Sequence, residues 1–300
     1  MPSAKEMRLR IRSIKNLSQV TKALETVSAS KVRKAVQAHN ATRPYTEKAW
    51  KVLVHLARQP GHNSLHPLLM QRDVVKNVLV IMISSDRGLA GSYNVNIVRQ
   101  TLQQFHNSAA PVSYITVGRK GRDMLVRRGG KVMAEFSDIS HVPSYAELSS
   151  IGHLAIDEYL KGECDQVYVA FTEFHNMVKQ VAVVEKLLPL DVEITGEKHG
   201  RSTTHPSSAV FTYEPDQGGL LDEIIPRFTS LQVYQAILSS RASEEAARMI
   251  AMRNATDSAR DLVTDLQLEY NKARQQAITN EMLDIAGGAN ALAETLAGKA

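Results

Sequence analysis

Two long segments, one near each end of this chain, have apolar residues at helical spacing and contain neither glycine nor proline. They are residues 3–43 and 227–286. Each is far longer than the average globular helix of about 11 to 12 residues. At about 1.5 Å per residue, the second would extend on the order of 90 Å. A compact domain built from the remaining residues cannot enclose a rod of that length, so the rod is predicted to project from it.

The first helix has a narrow apolar seam, because its apolar residues recur at steps of three and four. The seam is predicted at Met7, Ile11, Ile14, Leu17, Val20, Leu24 and Val27. Ser3 and Glu6 have the spacing of a capping box at the start of the helix. Pro44 is predicted to kink or break it before a further helical stretch that ends near Arg58.

The second helix repeats its seam every seven residues in two sets of positions, which is typical of a coiled coil. The sets are Met249, Thr256, Val263, Tyr270, Ala277 and Met252, Ala259, Leu266, Ala273, Asn280. Small and polar seam residues bury little area, so this helix needs a partner. Because the two seams lie at opposite ends of the chain, with a domain between them, the economical arrangement is a long antiparallel two-helix coiled coil of the N- and C-terminal helices.

The middle of the chain alternates predicted strands with predicted helices, which indicates an α/β domain with a parallel or mixed sheet. Strands are predicted at 74–83, 112–117 and 166–171, with an edge hairpin through 177–186. Helices are predicted at 95–106, 121–128 and 145–161. Ser144 is predicted to cap the last of these, with Glu147 three residues later.

These patterns predict three parts. Residues 1–58 form an N-terminal coiled-coil helix, 72–208 form a central Rossmann-like α/β domain, and 209–300 form a C-terminal coiled-coil helix. The fold class is therefore α/β with a helical coil.

Charge is unevenly distributed, although the net charge is only +5. Residues 3–43 carry ten Lys or Arg against two acids, whereas 227–286 carry seven basic and eight acidic residues. The positive first helix favours an acidic partner or a phosphate backbone. It has no aromatic residue among its basic ones, so nucleic acid is not the predicted partner.

Several classes of protein are disfavoured by what the sequence contains. The single cysteine, Cys164, excludes an internal disulfide and a Cys-rich zinc site. The longest apolar run, 78–83, is too short to span a bilayer. The basic N-terminus also fits a mitochondrial presequence, but the capping box favours a retained helix. The histidines match no metal motif, and neither a metal nor a cofactor is predicted.

A nucleotide-binding α/β enzyme with a helical stalk is the alternative function, because 84–94 lies where such a domain has its phosphate loop. The segment lacks the three glycines of G-x-G-x-x-G and the lysine of a P-loop. Gly88 and Gly91 are instead predicted to supply a tight turn, and Asp86 or Ser92 a helix cap. The basic cluster 119–122 is predicted to be a solvated turn rather than an anion site.

Five segments carry a resemblance to a known family. They are TKALETVSASK at 21–31, SSDRGLAGSYN at 84–94, YEPD at 213–216, AARMIAM at 246–252, and YNKARQ with ITNE between 270 and 281. In this order, and over nearly the whole chain, they resemble the gamma subunit of F-type ATP synthases. Ala90 stands where cysteine is common in that family.

The resemblance implies a non-catalytic central rotor shaft that couples proton or other ion flow through the membrane c ring to the cycling of the catalytic beta subunits. It implies alpha and beta subunits, an epsilon subunit and the c ring as partners. It also implies a peripheral place on the cytoplasmic face of a bacterial cell membrane, with the matrix side of the mitochondrial inner membrane as the alternative.

The resemblance also implies roles for particular residues. Contacts with the beta subunit are expected at Lys22, Leu24, Lys31, Arg33, Arg248, Arg274, Gln275, Thr279 and Glu281. Contacts of the foot with the c ring and epsilon are expected at Tyr213 and Glu214.

Overall fold

The computed structural model describes residues 4–57, 66–72, 74–190 and 217–297. Within these ranges the elements are, in chain order, α1 (Ala4–Ala57), β1 (Val78–Ile83), α2 (Tyr93–Gln104), β2 (Val112–Val117), α3 (Arg119–Val126), β3 (Lys131–Phe136), α4 (Tyr145–Leu160), β4 (Gln166–Phe174), β5 (Gln180–Leu188) and α5 (Gln217–Ala297).

The described strands form one mixed sheet in the order β3-β2-β1-β4-β5. Strands β1 to β4 run parallel, and β5 pairs antiparallel with β4. The predicted strand at 112–117 and the predicted edge hairpin are confirmed. The first strand begins at Val78, not at residue 74. Every residue of β1 is buried, which explains its continuous apolar sequence.

Strand β3 was not predicted from the sequence. Its residues alternate between exposed and half-buried, and it lies at the edge of the sheet next to β2. The strand is only six residues long, and two of them, Lys131 and Glu135, are charged and interrupt its apolar pattern. The formation of β3 therefore depends more on its pairing with β2 than on its own composition.

The helices between the strands confirm the predicted ones within two residues at either end. Ser144 caps α4 as predicted, because its Oγ accepts from the Glu147 backbone N–H at 3.3 Å. The Glu147 carboxylate accepts from Ser140 N–H at 3.3 Å. The cap thus also fixes the loop that leads into the helix.

Apolar side chains pack on both faces of the sheet. On one face α2 and α3 cover a cluster that contains Val80, Met82, Ile97, Tyr114 and Leu125. On the other face α4, part of α5 and the segment around Leu68 cover a larger cluster that contains Ile81, Ile115, Ile151, Val167 and Ile237. This two-sided cover is what a parallel sheet requires.

The two long helices continue through residues that commonly interrupt a helix. Pro44 lies inside α1 and does not end it. Helix α5 begins before Pro226 and continues past Gly287 and Gly288.

The chain divides into two compact units, and both long helices contribute to each. One unit comprises Met1–Thr26 with Ile250–Ala300, and the other is Val27–Met249. This division cuts through α1 and α5, whereas the predicted domain boundaries follow element ends. Those boundaries stay a prediction.

In the first unit, the face that α5 buries is the predicted one, whereas α1 follows its predicted seam only at the start, where Met7 and Ile11 are buried. Met252, Thr256 and Ala259 are buried, and Thr256 Oγ1 donates to Thr21 Oγ1 at 2.8 Å. The predicted seam positions Leu17 and Val20 are instead 55% and 56% exposed.

Helical geometry explains why the buried face of α1 departs from the predicted seam. The buried positions Met7, Ile11 and Thr21 belong to a pattern of alternating steps of four and three that also includes Ile14. Two successive steps of three, from Ile14 to Leu17 to Val20, turn the path away from that face. The structure thus places a threonine where the sequence suggested an aliphatic residue.

Candidate functional site at the carboxyl ends of the strands

The loop after β1 is a tight turn that closes onto the start of α2, as predicted. Ser85 N–H donates to Asn94 Oδ1 at 3.0 Å, and Asn94 Nδ2 donates to Ser85 Oγ at 2.7 Å. Gly91 has a φ of 56° and Leu89 a φ of 64°, both in the left-handed region. Such backbone favours glycine, and Leu89 adopts it while exposing its side chain.

The helix caps at this loop differ from the predicted ones. Ser92 precedes α2, but its side chain makes no capping hydrogen bond. Asp86 Oδ1 accepts from the backbone N–H of Arg119 at 3.2 Å, at the start of α3. Asp86 therefore joins the loops that follow β1 and β2.

The basic turn at the start of α3 is paired with carboxylates of the chain itself. Arg119 forms ion pairs with Asp86, at 3.8 Å, and with Asp138. Arg122 Nη1 lies 2.5 Å from Glu135 Oε2 on β3. These pairs neutralise the turn locally and make it a poor anion site.

Helix α5 reaches the same loops through Arg241. The guanidinium lies 3.7 Å from Asp86 Oδ2, donates to Glu244 Oε2 at 2.9 Å and donates to the Ile139 carbonyl at 3.1 Å. Its side chain is only 10% exposed. One arginine thus connects α5 to the loops after β1 and β3.

Glu245 is the meeting point of both long helices and the loop after β3. Arg248 Nη1 lies 2.8 Å from Glu245 Oε1, and Arg248 Nη2 donates to Glu244 Oε1 at 2.6 Å. Lys31 Nζ of α1 lies 3.7 Å from Glu245 Oε1, and His141 Nδ1 lies 3.9 Å from the same oxygen.

These side chains form one connected group with equal numbers of basic and acidic residues, here called the charged cluster. Its members are Lys31, Arg119, Arg241, Arg248, Asp86, Asp138, Glu244 and Glu245. Ions removed from water are costly unless they are paired, and each buried member of the cluster has at least one ion pair. The cluster is therefore a network of ion pairs that connects the helices and loops of the second unit.

The pKa values of the two buried arginines reflect this pairing. Burial alone would lower the pKa of Arg241, but its ion pairs, led by Glu244, raise it above its usual range. For Arg248, burial is likewise outweighed by Glu244 and Glu245, and the pKa rises. Both guanidinium groups are therefore firmly charged.

His141 behaves differently from the arginines. Burial, followed by the positive charge of Lys31, lowers its pKa below the ordinary value of 6.5. Glu245 opposes this shift without overcoming it. His141 is therefore mainly neutral at pH 7, and its ion pair with Glu245 requires acidification.

The position of the charged cluster bears on what this domain can bind. Open parallel sheets bind ligands outside the carboxyl ends of the strands, at the point where the strand order reverses. Here that point lies between β1 and β4. Residues of α5 fill it, because Ser240 Oγ accepts from Thr172 N–H of β4 at 3.1 Å and Arg241 pairs with Asp86 after β1.

Tyr93 occupies the same crevice. It is buried, and burial together with the Glu244 carboxylate raises the pKa of its hydroxyl. Within the described ranges, no group of three metal-binding side chains is present. The chain's own side chains thus occupy the place where a nucleotide-binding enzyme would hold its substrate.

Comparison with known proteins identifies the family. A family model described as ATP synthase matches residues 3–292. The ATP synthase gamma chain of Dehalococcoides mccartyi strain CBDB1 is 42% identical over 295 residues, which covers 98% of this chain and all of that protein. The gamma chain of Roseiflexus castenholzii is 41% identical over 299 residues, with 98% and 100% covered.

The chain belongs to the ATP synthase gamma chain family.

Solved structures of ATP synthases contain chains with the same fold. A chain from the central stalk and c-ring structure of the Tetrahymena thermophila mitochondrial ATP synthase matches with a TM-score of 0.60 and 26% identity, covering 79% of this chain and 99% of that one. A chain from the Euglena gracilis mitochondrial enzyme matches with a TM-score of 0.67 over 96% of this chain and 94% of that one. At 20% identity, the second match supports the fold alone.

Two of the gamma-chain residues expected to contact the beta subunit lie in the charged cluster. Lys31 and Arg248 both pair with Glu245, and their side chains are 28% and 12% exposed. Arg248 Nε also donates to the Gly88 carbonyl at 3.4 Å, so it supports the loop after β1. The structure brings these two together, while Arg33 lies exposed on α1.

The other expected contact residues of α1 lie in the first unit. Lys22 is exposed and pairs with Glu25 at 3.0 Å, and Leu24 between them is half-buried.

The expected contact residues near the end of α5 are all exposed in the first unit. They are Arg274, Gln275, Thr279 and Glu281. The Thr279 hydroxyl donates to the Gln275 carbonyl at 2.9 Å, one turn back. The two residues expected in the foot, Tyr213 and Glu214, lie outside the described residues.

The members of the charged cluster that α5 contributes besides Arg248 were not predicted from the sequence. Arg241, Glu244 and Glu245 recur with Arg248 at steps of three and four, the spacing at which side chains meet on one helix face. That spacing could have marked them as a pairing group, but only the fold shows that the face is buried.

None of the helices in the described ranges has a stretch long and apolar enough to span a bilayer.

Proposed function

We propose that this chain is the central rotor shaft of an F-type ATP synthase. It couples ion flow through the c ring to the conformational cycling of the catalytic beta subunits, and thereby to ATP synthesis or hydrolysis. The observation that carries this conclusion is the similarity to gamma chains along the whole chain, 42% over 98% of its length. As a gamma chain it is a stalk subunit and not itself catalytic.

The shaft itself would be the antiparallel coiled coil of α1 and α5. Support comes from the buried face of α5 at Met252, Thr256 and Ala259, and from the bond between Thr256 and Thr21. Residues spaced at three and four that meet another helix are typical of such coils. A coil can transmit torque because its two helices turn as one body.

The central domain would be Rossmann-like. Its strand order β3-β2-β1-β4 is that of the doubly wound fold, and β5 departs from it by running antiparallel. This domain would form the foot of the shaft.

Contacts with the beta subunits would be made first by the exposed cations. Lys22 and Arg33 lie exposed on α1, whose first part has a strong excess of positive charge. Arg274 and its neighbours Gln275, Thr279 and Glu281 lie exposed on α5. An acidic lever on each beta subunit would meet such a surface favourably.

The end of α5 would enter an apolar sleeve formed by the alpha and beta subunits. Ile278, Met282, Leu283 and Ile285 are between 46% and 67% exposed. A run of large exposed apolar side chains is typical of a surface that a partner covers.

The foot would contact the c ring and the epsilon subunit, with Tyr213 and Glu214 as proposed contact residues. The Tetrahymena neighbour comes from a structure of the central stalk with the c ring. A chain in this position would be peripheral to the cytoplasmic face of a bacterial membrane, with the mitochondrial matrix face as the alternative.

An affinity tag on this chain provides the experiment. Purification from native membranes should recover alpha, beta and epsilon subunits and the c ring. The recovered complex, placed in vesicles, should pump ions when ATP is added. Recovery of the chain without catalytic subunits would overturn the proposal, whatever nucleotide the isolated chain binds.

A further inference from the structure

Strand β4 extends beyond the strand beside it. Its pairing with β1 ends at Ala170 opposite Met82, but β4 continues to Phe174. On its other edge, residues 171–174 still pair with β5. Within the part of the chain that the structure describes, no strand binds the backbone groups on the edge that faces away from β5. Such groups need partners when they are buried.

Helix α5 supplies those partners through three serines. Ser240 Oγ accepts from Thr172 N–H at 3.1 Å, and Ser239 Oγ accepts from Phe174 N–H at 2.9 Å. The Thr172 carbonyl accepts from Ser243 Oγ at 3.1 Å and, more weakly, from Ser239 Oγ at 3.4 Å. All three serines are buried. A hydroxyl can both donate and accept, so a helix can stand in for a strand here.

Arg241 lies on the same turn of α5 as these serines, and it reaches the other side of the crevice. Its guanidinium pairs with Asp86 after β1, while its neighbour Ser240 binds β4. Because β1 and β4 flank the point where strand order reverses, α5 lies in the crevice as a ligand would. We call Ser239, Ser240 and Ser243 with the end of β4 the serine seat.

We infer that the serine seat fixes α5 to the sheet against turning and sliding, and that its three serines are positioning residues for torque transfer between this domain and the helix. This inference rests on the proposed rotor function. Hydrogen bonds weaken steeply when misaligned. Each residue of a helix adds about 1.5 Å of rise and about 100° of turn, so a shift of one residue would break every bond of the seat. Apolar packing alone is not directional and would allow such slippage.

The test uses the assembled ATP synthase with the triple variant S239A/S240A/S243A in this chain. Alanine keeps the helix but removes every hydroxyl of the seat. In vesicles, the number of ions pumped per ATP hydrolysed should fall several-fold, while the hydrolysis rate falls less. Amide hydrogen exchange at Thr172 and Phe174 should accelerate in the same complex.

The matched control is S230A. Ser230 is also a buried serine of α5, and its hydroxyl has no hydrogen-bond partner among the described residues. This variant should keep the wild-type ratio of ions to ATP. A merely structural role would lower the amount of assembled complex and leave the ratio per complex unchanged. If the triple variant does not assemble, the single variants S239A, S240A and S243A should each lower the ratio by a smaller factor.

Two outcomes separate this inference from the function on which it rests. If the unsubstituted complex pumps ions and the seat variants exchange the two amides faster yet keep the full ratio, the seat inference is wrong and the rotor function stands. If the unsubstituted chain does not assemble into a pumping complex, the rotor function itself is overturned.

Discussion

Single residues decide how closely the helices approach one another in the second unit. Gly152 of α4 faces Ser230 of α5, and a Cβ at Gly152 would lie 2.8 Å from Ser230 Cα. Backbone at that distance cannot move aside as a flexible side chain can. Helix α4 can therefore pack this closely against α5 only because Gly152 has no side chain.

Gly152→Ala should destabilise the chain by about 1–3 kcal/mol, because α4 and α5 must separate to admit the methyl group. Urea unfolding of the full chain measures the change. Gly88→Ala is the control, since no atom of residues 4–57, 66–72, 74–190 or 217–297 lies within 4 Å of its added Cβ. Equal stability of the two variants would show that the helices are not in close contact.

Asp165 ties the start of β4 to the segment before β1. Its carboxylate accepts from Arg72 Nη1 at 2.7 Å, Lys76 N–H at 2.6 Å and Asn77 N–H at 3.0 Å. Burial alone would raise its pKa, but these hydrogen bonds outweigh burial and hold the pKa below the ordinary 3.8. The ionised form therefore stabilises the fold.

Asp165→Asn should lower the free energy of unfolding at pH 7 by about 1–3 kcal/mol, because the Arg72 guanidinium and the two backbone N–H groups lose a charged acceptor. Since the folded pKa is depressed, the stabilisation is complete above the unfolded pKa. It is lost as pH falls through the folded pKa. The difference from wild type should therefore shrink below about pH 4.

Denaturant unfolding at a series of pH values measures this difference. Asp157→Asn, at an exposed position on α4, is the control. A difference that stays constant down to strongly acidic pH would rule out an ionised Asp165 as its source.

Among the elements, the two long helices show how a seven-residue pattern selects a buried face. On α5 the predicted positions Met252, Thr256 and Ala259 are the buried ones. On α1 two stripes share Met7, Ile11 and Ile14 and then diverge, and the aliphatic branch through Leu17, Val20 and Val27 is exposed. The contact with Thr256 favours the smaller Thr21.

Ile11→Ala should therefore destabilise the first unit by about 2 kcal/mol or more, because Ile11 is buried. Leu17→Ala, a few residues further on, should change stability by less than about 0.5 kcal/mol, because Leu17 is exposed. Unfolding of the full chain followed by helical circular dichroism compares them. The reverse order would contradict the burial of Ile11 and the exposure of Leu17.

For the whole molecule, the function depends on how charge and apolar surface are presented to other subunits. Leu24 is half-buried beside the exposed Lys22, in a helix with a strong positive charge. Under the proposed function, this part of α1 meets an acidic lever of the beta subunit. A further positive charge there would strengthen or misalign that contact.

Leu24→Lys should therefore lower the number of ions pumped per ATP hydrolysed by the assembled complex, while hydrolysis itself continues. Leu24→Met, which keeps size and apolarity, is the control. Vesicle pumping assays with both variants provide the measurement. Unchanged coupling in Leu24→Lys would count against the placement of Leu24 at the beta subunit.

The sequence by itself determined the features that depend on local pattern. The long helices follow from uninterrupted helical spacing. The α/β alternation follows from apolar runs such as β1, and the cap at Ser144 follows from the chemistry of a hydroxyl at a helix start. The resemblance of motifs such as 84–94 and 270–281 to gamma subunits also needed only the order of residues, and the family comparison confirmed it.

Only the tertiary structure decided which faces and charges meet. It paired β3 with β2, selected Thr21 over Val20, and buried Arg241 against Asp86, a residue far away in sequence. It also placed three ordinary serines on the free edge of β4. The physical reason is that burial, ion pairing and backbone hydrogen bonding depend on neighbours distant along the chain, and a helical charge pattern does not show whether water or another part of the chain will cover it.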